Sequence, residues 1–120
     1  MHWFTLAARL GFWLVLAAIT VLSLLPLQFA VQSGVSDKIE HFVAYAALTA
    51  AGRVGHREKP APWMLAGGIV AYGIAIEIAQ SFIPGRMMSG WDVFANTTGV
   101  LIGLGLSWLV LSRLPSHPSR

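Results

Sequence analysis

Glu77 is the only charged residue between positions 61 and 83, a stretch otherwise apolar enough to cross a membrane. A carboxylate at that depth is protonated, paired or functional, because an isolated ion in hydrocarbon is costly. Asp37, Glu40 and Asp92 are three more of the chain's five acids, and each sits at the start of an apolar segment. His41 follows Glu40, and a histidine oriented by a carboxylate is the commonest proton-transfer pair in proteins. His41, Glu77 and Asp92 are therefore the candidates for acid–base chemistry. Lys38 and Arg86 are the cations nearest to them in sequence, and an arginine fork suits a phosphate or carboxylate.

Spacing places these residues on helix faces. Asp37, His41 and Tyr45 are four apart and stack on one side of a helix. Gly73, Glu77 and Gln80 share a second face, with Glu77 roughly 9 Å along the axis from Ile83. Asp92, Asn96, Gly99, Gly103 and Ser107 form a third stripe, polar at its start and small-xxx-small beyond, a surface for close helix packing. Gly73, Gly99 and Gly103 are read as packing positions. Asp37, Lys38, Tyr45, Gln80, Arg86 and Asn96 are read as ligand contacts.

Each reading has a plainer rival. Asp37-x-x-Glu40 and Ser89-x-x-Asp92 both have capping-box spacing. His41 can be a satisfied interfacial histidine, and Glu77 with Arg86, His41 or Lys38 can be a structural ion pair. A carboxylate-rich cation site is the lesser reading, because His2, His56 and His117 belong to the opposite end and leave His41 without a second histidine. The expectation is no metal and no cofactor. Cysteine is absent, which removes thiol chemistry altogether.

The elements that position these side chains follow from composition. Of 120 residues, 56% are hydrophobic and 11% charged, with mean hydropathy +0.67. A soluble domain usually carries about 25% charged residues. Eight basic and five acidic side chains cannot clothe a soluble globule of this size, so the solvent is a bilayer. The net charge of +3 points away from nucleic acid, since the basic residues sit at segment ends and not on one soluble face. The expected fold is an all-α membrane protein, one domain over residues 1–120, with helices at about 6–25, 37–52, 61–83 and 91–111. The second is short, about 24 Å at 1.5 Å per residue, so its charged first turn belongs at the headgroup boundary. Pro26 stops the first helix near Leu25. That helix is kept as a span and not a cleaved signal, because its apolar run is long and no small-x-small site follows.

Orientation follows from the cations. Arg9, Arg53, Arg57, Lys59, Arg113 and Arg120 fall at the termini and the second connection. Lys38 and Arg86 fall at the first and third. Both termini are thus expected in the cytoplasm, and the acids at the outer leaflet. Trp3, Trp63, Trp91 and Trp108 lie near span ends, where an indole prefers to sit.

The motifs Asp37-Lys38-x-x-His41-x-x-x-Tyr45, Glu77-x-x-Gln80, Gly85-Arg86 and Asp92-x-x-x-Asn96-x-x-Gly99, in this order, resemble the VanZ-like family over residues 36–104. The resemblance implies a small bacterial plasma-membrane protein, related to one associated with teicoplanin resistance and so with the cell envelope. It implies no particular reaction. Beside it, the residues suggest a pocket for a polar or anionic envelope-lipid headgroup, polyprenyl lipids included. The rival is a non-enzymatic scaffold or partner protein whose polar cluster is a folding clasp. A proton-coupled transporter would need a polar path that four helices supply only as a homo-oligomer, for which Gly99 and Gly103 offer a face.

Overall fold

The computed structural model describes residues 2–30, 34–87 and 89–113; His117 and Arg120, assigned above to the basic end, lie outside them. It contains four α-helices: α1 (His2–Leu24), α2 (Asp37–Gly55), α3 (Pro62–Gln80) and α4 (Gly90–Arg113), with a 3-10 turn at Leu27–Phe29. The described residues contain no strand. The bundle is elongated, 51 × 23 × 23 Å.

α1, α3 and α4 are each long and apolar enough to cross a membrane. α2 is not, and its composition says why. Within 19 residues it carries Asp37, Lys38 and Glu40 at one end and Arg53 at the other. It compensates by position, packing against all three other helices, most closely α4 and then α1, whereas α1 and α4 do not touch. The least apolar helix is thus the hub. Phe12 and Ile19 of α1, Tyr45 and Leu48 of α2, Ile69 of α3 and Val100 of α4 form the buried core. Ile39 and Val43 of α2 remain exposed, as do Leu101, Leu106 and Trp108 of α4. Exposed apolar surface on this scale is the outside of a protein solvated by lipid.

Local sequence explains the helix ends. The Ser36 side chain accepts a hydrogen bond from the Lys38 N–H at 3.2 Å and caps α2. The Asp37-x-x-Glu40 capping box is therefore displaced: Asp37 is already inside the helix and exposed. Pro62 opens α3, where its missing N–H costs nothing. α3 stops at Gln80, earlier than the Pro84-Gly85 breaker demands, and a series of tight turns follows. Gly85 takes φ +81°, a backbone conformation glycine adopts without strain, and so reverses the chain immediately before Arg86.

Helix packing is closest along the glycine stripe of α4. A Cβ on Gly99 would run into the carbonyl oxygen of Phe42. One on Gly103 would stand 2.5 Å from the carbonyl oxygen of Ala46 and 2.8 Å from Thr49 Cβ. Asn96, Gly99, Gly103 and Ser107 are all buried, and Asn96, Gly99 and Gly103 meet α2. This face is consumed inside the chain, so it does not offer the surface for homo-oligomers that the stripe suggested. At the basic end, Arg9 Nε donates to the Gly55 carbonyl, and Arg53 donates to the carbonyls of His56 and Arg57. Thr20 and Tyr72 share a hydrogen bond between α1 and α3, a tie that helical spacing alone did not reveal.

Candidate functional site

The C-terminal ends of α1 and α3 and the N-terminal ends of α2 and α4 meet at one end of the bundle. There they bring together residues far apart in sequence, the three proton-transfer candidates among them. His41, Glu77 and Asp92 each offer a ligating or proton-accepting atom, and these atoms all lie within 4.8 Å of one another. Glu77 is 0% exposed. Its Oε2 accepts the Ser89 backbone N–H at 3.1 Å, while its Oε1 has no partner. Asp92 pairs with Lys38 at 2.8 Å. His41 Nδ1 lies 3.0 Å from Asn96 Oδ1. The Asn96 oxygen can only accept, so Nδ1 is the donor of this bond.

Gly73 makes room for this arrangement. A Cβ there would sit 3.2 Å from Asn96 Nδ2 and 3.2 Å from the Tyr45 ring. The Tyr45 hydroxyl and Asn96 Nδ2 are both buried without a hydrogen-bond partner. Buried polar atoms left unpaired are uncommon and costly. Three of them crowd around one cluster here.

Arg86 does not fold back over the carboxylates. Its Nε donates to the Leu25 carbonyl at 2.9 Å and its Nη2 to the Leu22 carbonyl at 3.0 Å. The last carbonyls of a helix lack donors of their own, and a cation at that end also suits the helix dipole. Gln80 likewise reaches α1, donating from Nε2 to the Ser23 carbonyl at 2.9 Å. Two of the sequence-predicted ligand contacts therefore fasten α1 to the end of α3.

Between α1 and α2 these residues border a groove of about 730 Å³. Its polar side includes Asp37, Lys38, His41, Tyr45, Arg86 and Asp92; its apolar wall is Val15, Ala18, Ile19 and Leu22 of α1. Glu77 and Asn96 do not line it and stand behind His41 and Asp92. Sequence reasoning missed the α1 wall, because nothing in a uniformly apolar helix marks which face closes a groove. It also missed the Ser89 N–H, which identity cannot signal since every non-proline residue carries one.

No curated protein and no solved structure matches the chain. A family model described as VanZ/LLP1 matches residues 4–111, a wider span than the motifs at 36–104 and one that takes in α1. With nearly its whole length matched, the chain belongs to the VanZ/LLP1 family.

Proposed function

We propose that this is a four-pass protein of the bacterial plasma membrane whose groove binds the polar or anionic headgroup of an envelope lipid in the outer leaflet. The cation distribution favours this orientation, with both termini cytoplasmic and the acidic end outward. The observation that carries the reading is the groove itself, with an apolar α1 wall along the bundle and a polar side holding Lys38 and Arg86. An amphiphile has that division: chains for the wall and a charged head for the cations. Lys38 is half-exposed on its free side and already engages one anion, Asp92. Arg86 is bound through Nε and Nη2, and Nη1 is the atom it can offer a ligand. Asp37 and Tyr45 would set the shape and polarity of the pocket, with His41 and Asp92 at its floor for proton exchange. A role in the cell envelope, teicoplanin response included, follows from a lipid ligand of this kind.

Native mass spectrometry of gently solubilised protein, with extraction of the bound lipid, tests this. Wild type should retain one class of anionic or polyprenyl lipid. Lys38→Met should lose about tenfold in lipid affinity, the worth of one charge-assisted hydrogen bond, with only a small drop in thermal midpoint from its half-exposed ion pair with Asp92.

The rival clasp reading has its own support, since Arg86, Gln80 and Lys38 all tie helices together. If wild type and Lys38→Met carry only bulk lipid and the variant loses thermal stability, the cluster is a clasp. In that case, replacing the whole cluster with apolar residues of similar volume should preserve function.

A further inference from the structure

The cluster behind the groove has one feature that neither headgroup binding nor a clasp explains. Glu77 is fully buried, yet among the described residues no lysine or arginine is bonded to it: Lys38 is spent on Asp92 and Arg86 on α1. Its Oε1 has no hydrogen-bond partner. A buried carboxylate oxygen left bare is expensive unless a proton or a cation completes it.

We propose that His41, Glu77 and Asp92 form a binding site for one first-row divalent metal ion. Each of the three is prepared for ligation. The Ser89 N–H fixes Glu77 through Oε2 and leaves Oε1 to bind. Asn96 Oδ1 accepts from Nδ1 of His41 at 3.0 Å, which leaves Nε2 as the nitrogen free to take a metal in the neutral ring. An acceptor on the far nitrogen of a histidine is the usual support behind a metal ligand. Asp92 supplies the third donor and keeps Lys38 as its outer partner.

The donor atoms lie within 4.8 Å of one another. Around a four-coordinate ion with bonds of about 2.1 Å, neighbouring donors stand roughly 3.4 Å apart. The three donors would draw in by about 1.4 Å to reach that spacing. His41 and Asp92 also line the groove, so a ligand there would reach the ion past these two side chains. One imidazole with two carboxylates suits zinc or manganese; magnesium and calcium prefer an all-oxygen set, and no thiolate is present to favour copper(I). Two carboxylates and a neutral imidazole also match the charge of a divalent ion. This site stands on the ligand geometry and does not depend on lipid binding.

The test uses the full chain purified without a polyhistidine tag, stripped with chelator, then titrated with zinc and with manganese. Bound metal is read by elemental mass spectrometry, and the thermal midpoint is followed in parallel. Wild type should bind about one ion per chain and melt higher with metal than without. His41→Gln, Asp92→Asn and Glu77→Gln should each weaken binding at least tenfold. Asn96→Ala, which removes the support behind His41, should weaken it about tenfold while leaving the three ligands in place. His56→Gln, at the opposite end, should bind as wild type does. Binding well below one ion per chain for both metals would overturn the proposal. So would full-affinity binding by folded His41→Gln and Asp92→Asn; these residues are only partly buried, so the test survives if the fully buried Glu77 variant fails to fold.

Discussion

Gly99→Ala is expected to force α2 and α4 apart and to destabilise the protein by about 3 kcal/mol, the upper range for overpacking a close contact. The added methyl meets the Phe42 carbonyl oxygen first, then Phe42 C and Ala46 N at 3.2 Å. All three are backbone, so no rotamer can move out of the way. Gly103→Ala meets the same kind of obstacle at the Ala46 carbonyl, and the double variant should not recover a folded bundle from mild detergent. Gly105→Ala is the internal control, since a Cβ there meets nothing within 4 Å. It should be neutral or slightly stabilising, because alanine restricts the unfolded chain. Thermal melts of the three single variants decide the matter, and equal midpoints would mean that α2 and α4 do not meet along this face.

Arg86→Ala should be the most damaging change at the acidic end. It removes both donors to the Leu22 and Leu25 carbonyls and leaves the C-terminus of α1 uncapped, at a cost of about 2 kcal/mol. Arg86→Lys restores the charge but cannot span two carbonyls with one ammonium, so it should recover only part of the loss. The melt should be read together with proteolysis near residues 25–30, which becomes faster if α1 detaches. If Arg86→Ala melts as wild type but loses its lipid, the arginine serves the ligand first and α1 only incidentally.

Much of this organisation was legible in the residues. Apolar run lengths gave four helices, and i, i+4 spacing put Asn96, Gly99, Gly103 and Ser107 on one face, all buried in the structure. Gly73, Glu77 and Gln80 were likewise placed together and are likewise buried. His41, Glu77 and Asp92 were singled out by type and depth and lie within 4.8 Å of one another. Partner choice was not legible. Arg86 was read as facing the acids because opposite charges attract. It faces α1 instead because the Gly85 turn aims it there and unpaired carbonyls compete for the same fork. The partner of the glycine stripe was equally hidden: Phe42, Ala46 and Thr49 carry no signal of close approach, since what α4 touches there is largely backbone.

The central position of α2 bears on how such a chain is made. A helix with four charges in 19 residues gains little by entering lipid alone. Its strongest partner, α4, is also the last of the four to leave the ribosome. Through the synthesis of α3, α2 therefore has only α1 to hold it at the membrane surface or just within. On the four-pass reading, full insertion is expected only after α4 is made, with α4 drawing α2 in by fit and not by hydrophobicity. A glycine defect in α4 would accordingly appear first as degradation of a half-inserted chain, before any loss of activity in the folded one.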